Sequence, residues 1–175
     1  GKRPLEQHTM AYQRFHVAAI RAFLARGYDV VLASFCQGQG DENEIERLTD
    51  ALTVPELEHV TCVFYRDSPD EVMRAFAESA CVVATRFHAM VLGYAHGCKV
   101  LPLVYDQKTQ KVLDDLGNPP SLALDELAAA DAEAAVDALI ASEPRDASGL
   151  ARASAGHFQF TDRLLGRPEE RGAAR

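Results

Sequence analysis

The 175-residue sequence predicts an α/β domain: a doubly wound, mainly parallel sheet with helices on both faces. Three observations predict it. Apolar runs at residues 29–35, 60–65, 81–84 and 99–105 are short and almost unbroken, as in strands covered on both faces. Between them, apolar residues recur three and four apart, the period of a helix with one buried face. The connections are short, so the order α-β-α-β-α-β-α-β-α-(β)-α-α calls for parallel crossovers.

The elements follow in chain order. Residues 1–9 are polar and irregular. From Met10, the residues Phe15, Ala18, Ala19, Ala22 and Phe23 keep helical spacing, and Gly27 is placed as the cap. A strand at 29–35 gives way to the loop 36–41. Asp41 reads as an N-cap with Glu44 as its capping-box partner, opening a helix to about Thr53 that Pro55 ends. A strand follows at 60–65 and a turn at 66–70, where Ser68 and Pro69 read as N-cap and N1 of a helix to about Ser79. Residues 81–106 form the centre: strand, turn, apolar helix closed by Gly97, strand. A short helix at 108–116 is stopped by Gly117, Asn118 and two prolines. Residues 122–124 give a last short strand and 125–141 an alanine-rich helix, which Pro144 breaks. A further helix is expected from 147 to about 165. The reading therefore places 1–165 in one domain and 166–175 in a flexible tail. No strand is read ahead of the first helix, so an upstream strand or domain of a longer protein is expected.

Composition narrows the function. A formal charge of -8 argues against a general nucleic-acid or anionic-membrane binder, so an anionic ligand needs a local cationic pocket. No run approaches the ~18 apolar residues of a membrane span, and no signal peptide is visible. Cys36, Cys62, Cys81 and Cys98 form no C-x-x-C pair and read as buried reduced thiols. No metal-ligand spacing is present.

Ligands of open α/β sheets bind at the carboxyl ends of strands. The sharpest signal lies at such an end, Thr85-Arg86-Phe87-His88. Arg86 at the strand end and His88 in the first helical turn can converge on one ligand, a guanidinium for an anion and an imidazole for proton transfer. Tyr105-Asp106-Gln107-Lys108 ends the neighbouring strand. There Lys108 offers a second cation, and Asp106 either orients Lys108, His88 or a sugar hydroxyl, or caps the next helix. Gly38 and Gly40 either let backbone amides approach a phosphate or form a flexible turn. The loop is neither a Walker A nor a G-x-G-x-x-G motif. His8, His16, His59, His96 and His157 have no ligand spacing between them.

The run Ala84-Thr85-Arg86-Phe87-His88-Ala89-Met90, then Gly97-Cys98-Lys99-Val100, then Tyr105-Asp106-Gln107-Lys108 with 113–117, resembles the carboxyl-terminal part of the polysaccharide pyruvyl transferase family. The likeness covers roughly residues 10–120 and is strongest over 80–117. Thr85 stands where serine is usual and Lys99 where proline is common. The resemblance implies one Rossmann-like half of a two-domain, GT-B-like enzyme, here the carboxyl-terminal half. It implies transfer of a pyruvyl group from phosphoenolpyruvate to hydroxyls of a sugar in a cell-surface or exopolysaccharide, forming a ketal. By resemblance Arg86 holds the donor's phosphate or carboxylate, His88 is a donor-site or acid/base residue, and Arg3 is the nearest match to an arginine at the end of the domain's first strand. The expected partners are phosphoenolpyruvate, a sugar acceptor and an amino-terminal domain, with no cofactor, metal or nucleic acid. The expected location is the cytoplasm, at the inner face of the membrane where the acceptor is lipid-linked. Two other readings stay open: a sugar-nucleotide glycosyltransferase or epimerase, and a non-catalytic phosphate- or sugar-binding domain.

Overall fold

The computed structural model describes residues 9–36, 38, 40–65 and 69–149. Their order is α1 (Thr9–Ala25), β1 (Val30–Ser34), α2 (Asp41–Asp50), α3 (Val54–Leu57), β2 (Val60–Phe64), α4 (Asp70–Glu78), β3 (Cys81–Ala84), α5 (Phe87–Ala95), β4 (Lys99–Val104), α6 (Gln107–Asp115), β5 (Leu122–Ala123) and α7 (Ala132–Ala141). Every strand pairing is parallel, as the apolar runs predict. The strands fall into two groups, β1-β2 and β3-β4-β5.

Helices cover both faces. On one face α1 and α7 pack over β4 and β5, burying Phe15, Ala19, Leu101, Leu103, Val136 and Leu139. On the other, α4, α5 and α6 bury Val72, Phe76, Met90, Tyr94 and Leu113. A smaller cluster joins Ile20 of α1 to Leu48 and Leu52 beside β1. Met90, Leu103 and Val136 are wholly buried, and each such side chain contributes about 1.5–3 kcal/mol of transfer free energy.

Several boundaries differ from the sequence reading. Gly40, not Asp41, caps α2. Its φ of +82° is a left-handed conformation that glycine adopts without strain, and Asp41 becomes the first helical residue. Pro55 does not end α2, which stops at Asp50. It sits in the first turn of α3, where a missing N–H costs nothing, behind a Thr53–Glu56 capping box. Pro69 caps α4, and Ser68 lies outside the described residues. The alanine-rich helix starts at Ala132 rather than 125. Glu126 accepts the Ala123 N–H at 2.8 Å and fixes a turn, and Asp131 then caps α7 through the Ala134 N–H at 3.1 Å. Local side-chain bonds of this kind compete with helix propagation. The expected helix at 147–165 and the tail at 166–175 lie almost wholly outside the described residues.

Two residues in β4 show how the centre is fitted together. Lys99 donates from Nζ to the Ile140 carbonyl at 2.5 Å and so satisfies the carboxyl end of α7. Pro102 sits inside the strand. The Lys99 N–H points to β3, donating to Ala80, so position 102 turns its backbone toward β5, which is only two residues long and pairs no earlier than Leu103. A ladder donor is not needed there.

Gly93 holds α5 against the sheet. A Cβ at this position would stand 2.9 Å from Val100 Cγ2 and 3.4 Å from Val82 Cβ. Both neighbours are β-branched and stiff at χ1. Gly93→Ala is expected to lose about 1–3 kcal/mol to overpacking, read as a lower denaturation midpoint at unchanged slope. An unchanged midpoint would mean that α5 can lift without cost.

Candidate active site

A groove of about 430 Å³ opens between β1 and β3 at their carboxyl ends. Thr9, Tyr12 and His16 of α1 line it, with Gly40, Asp41 and Glu44 at the start of α2, Thr85 and Arg86 after β3, and Tyr105 after β4. Asp41 ties these parts together. Its Oδ2 accepts the backbone N–H groups of Phe35 and Cys36, each at 3.0 Å, where β1 runs out. Its Oδ1 accepts from Arg86 Nε at 2.9 Å and from Arg86 Nη2. Arg86 can reach across because it is the N-cap of α5, still extended, with its side chain leaving the strand end toward α2.

The electrostatics follow from this pairing. Burial by itself weakens proton binding by the Arg86 guanidinium. The hydrogen bond and charge of Asp41, with a smaller contribution from Tyr105, outweigh it and raise the pKa, so Arg86 stays cationic. The Tyr12 hydroxyl forms a hydrogen bond with Thr85 Oγ1 at 2.9 Å. Burial pushes the Tyr12 phenol up to about 12, Glu44 and Asp41 add to this, and the Thr85 bond and Arg86 oppose it. The phenol therefore remains protonated at neutral pH.

The sequence-predicted site residues divide into groups. Thr85, Arg86, Tyr105 and Gly40 line the groove. His88 is exposed on the first turn of α5, its ring edge-on to Phe87 at 5.9 Å, outside the groove lining. Arg86 and His88 thus do not converge in the groove, because the helix turns His88 outward while Arg86 bends back to Asp41. Lys108 lies 3.8 Å above the other partner of this cluster, the Phe87 ring, in a cation–π contact. His88 and Lys108 therefore gather around Phe87 on the outer rim. Asp106 caps α6, accepting the Thr109 N–H at 2.8 Å. Gly38 is exposed, and Arg3 lies outside the described residues. Asp41 and Tyr12 are the groove residues that sequence reasoning missed. Asp41 resembles an ordinary helix cap, and Tyr12 lies 73 positions from its partner Thr85. Among the described residues no group of three or more His, Cys, Asp or Glu is placed to hold a metal ion, and all four cysteines are free thiols.

His16 lies half-buried on the α1 wall of the groove. Its Nδ1 donates to the Tyr12 carbonyl at 2.9 Å. Burial lowers its pKa from 6.5 to about 4, the Tyr12 bond opposing. The unfolded chain takes up a proton near 6.5, and the folded chain refuses it until about 4. The stability linked to His16 is therefore complete above the first value and is lost progressively as pH falls to the second. His16→Gln is expected to flatten the fall in melting temperature between pH 7 and pH 4.5 relative to the parent chain. Parallel curves would show that His16 is not the residue that titrates.

The family model for polysaccharide pyruvyl transferase matches residues 5–107, a span that holds the groove and both strand ends. Searches of curated proteins and of solved structures returned no match. With parallel strands, helices on both faces and a family match over more than half its length, the chain belongs to the polysaccharide pyruvyl transferase family.

Proposed function

We propose that this domain forms one wall of the site of an enzyme that moves the pyruvyl group of phosphoenolpyruvate onto two hydroxyls of a sugar, making a cyclic ketal. The observation that carries the reading is positional. The family match runs through Thr85, Arg86, His88, Tyr105 and Asp106, and these residues gather at the carboxyl ends of β3 and β4. A second Rossmann-like domain, in a GT-B-like arrangement, would supply the facing wall. The acceptor would belong to a cell-surface or exopolysaccharide, carried on a lipid at the inner face of the membrane. No described helix is itself long and apolar enough to cross a membrane.

The proposed chemistry begins with protonation of the methylene carbon of the enol phosphate. An oxocarbenium-like centre forms at the neighbouring carbon, and one sugar hydroxyl attacks it. The C–O bond to phosphate then breaks, and a second hydroxyl closes the ring. Of the two hydroxyl protons released, one balances the new methyl group and the other leaves with phosphate. Arg86 would bind the donor's phosphate or carboxylate by exchanging part of its pairing with Asp41 for the ligand, with Thr85 and Tyr105 as hydroxyl partners. On the rim, His88 would act as general acid to the methylene or as base for a hydroxyl. Lys108 would steer the departing phosphate, with Asp106 fixing the start of α6. Arg3 would add a further cation. Nothing in this scheme calls for a metal or an organic cofactor.

The nucleotide-sugar reading is weaker at the Gly38–Gly40 loop. The helix that follows opens with Asp41, Glu42 and Glu44, so a diphosphate there meets three carboxylates at a terminus that would otherwise welcome an anion. In the enzyme carrying both domains, Arg86→Ala and His88→Ala are each expected to lower transfer at least ~100-fold. Phosphoenolpyruvate, and not UDP, should raise the melting temperature. Near-normal rates in either variant would reject that residue's role. A shift with UDP alone would favour the glycosyltransferase or epimerase. Ligand binding without turnover would favour a binding domain.

A further inference from the structure

Asp41 is anchored independently of Arg86. Its Oδ2 accepts the Phe35 and Cys36 N–H groups, each at 3.0 Å, and its backbone opens α2 directly behind Gly40. Its charge therefore sits at the positive end of that helix. Arg86 is held differently. Its backbone is the extended N-cap of α5, with φ -83° and ψ 136°, and a long side chain of many rotamers carries the guanidinium across to Asp41. When the pair separates, the guanidinium is the part that swings and the carboxylate the part that stays. The Asp41 side chain is only 12% exposed. Pulling a cation away from so poorly hydrated a carboxylate normally strands a charge. Here two N–H donors and the helix terminus stay on that charge, so the separation leaves it partnered.

We propose that Asp41 is a positioning residue that parks Arg86 and competes with the ligand for it, so that the groove admits a phosphate dianion and turns away a lone carboxylate. The competition follows from the geometry. One Asp41 oxygen accepts from both Nε and Nη2 of Arg86. An incoming anion must therefore take hydrogen bonds that an anion already holds. A carboxylate that served only to brace the fold would weaken ligand binding when removed. A competing one strengthens it.

The same competition sets the class of ligand. A ligand carboxylate offers Arg86 only what Asp41 already gives, and it must leave water to do so. A phosphate dianion brings more charge and a third oxygen. The groove has donors for the oxygens that the guanidinium does not reach. The Thr85 hydroxyl lies 2.9 Å from the Tyr12 hydroxyl, so with Tyr12 donating to it Thr85 keeps its own proton for a ligand. The Tyr105 hydroxyl lines the same groove and also acts on the guanidinium. Glu44 adds a second carboxylate to the α2 wall, which raises the threshold for any weak anion. In the proposed reaction this assigns the phosphate of phosphoenolpyruvate to Arg86 and leaves its carboxylate to another group. That assignment rests on the pyruvyl-transfer reading, whereas the parking of Arg86 by Asp41 does not.

The test uses inorganic phosphate and the 175-residue chain. In a titration followed by NMR at about pH 8, where phosphate is mostly the dianion, the Arg86 Nε–H resonance is expected to shift to saturation. The Phe35 and Cys36 amides should hold still, because Asp41 keeps them. Acetate at the same concentrations should leave Arg86 unmoved. Asp41→Asn is expected to bind phosphate at least ~10-fold more tightly, the scale of one charge-assisted hydrogen bond no longer surrendered. The gain should vanish in the Arg86→Ala background. In the enzyme carrying both domains, Asp41→Asn should lower the KM for phosphoenolpyruvate and also lower kcat at least ~10-fold, because Arg86 is no longer aimed. No shift of Arg86 with phosphate, amides of Phe35 and Cys36 that move with it, or an equal response to acetate would each overturn the proposal on the parent chain alone. So would weaker phosphate binding by Asp41→Asn. An enzyme that shows these phosphate responses without turning over phosphoenolpyruvate would support the parking of Arg86 and overturn the pyruvyl-transfer reading instead.

Discussion

One carboxylate holds the site end of this domain together. Asp41 accepts two backbone N–H groups where β1 ends and the guanidinium of Arg86 where β3 ends. The two strand groups share no hydrogen-bonded ladder among the described residues, so this contact and the Tyr12–Thr85 bond are what span the groove on its polar side. A carboxylate with several charge-assisted partners is a strong tie, and a costly one to break, because removing either member leaves a charge in a poorly hydrated place. Arg86 is thus a structural clasp, and in the proposed reaction an anionic donor would compete with Asp41 for it, coupling binding to local structure.

The same arrangement explains the split between an inner and an outer set of residues. Inside the groove, Tyr12, Thr85, Arg86 and Tyr105 supply hydroxyls and one fixed positive charge. On the rim, Phe87 serves as a platform, with Lys108 over its face and His88 against its edge. A reaction that needs an anion held firmly and a proton moved near solvent suits such a division.

Much of the fold was legible in the sequence. Apolar runs located the strands to within a residue or two, and their unbroken character announced burial on both faces. The turn at Thr85-Arg86-Phe87-His88 was legible as a strand end because polar residues interrupt an apolar stretch there. What failed was local competition. Asp131 and Glu126 cut short a helix that the alanines favour, and Pro55 began a helical turn where a break was expected. These outcomes depend on which side chain reaches which N–H. The pairing of Arg86 with Asp41, 45 residues away in sequence, was likewise beyond any local pattern.

By itself, then, the sequence determined the element types, the parallel sense of the sheet and the place where β3 gives way to α5, because hydrophobic period and turn residues are local properties. Only the tertiary structure decided that Asp41 and Tyr12 belong to that strand end, that Lys108 rests on Phe87, and that β1 and β3 line the same groove. Those are contacts between segments far apart in the chain, and they are set by how the layers pack rather than by any pattern within a segment.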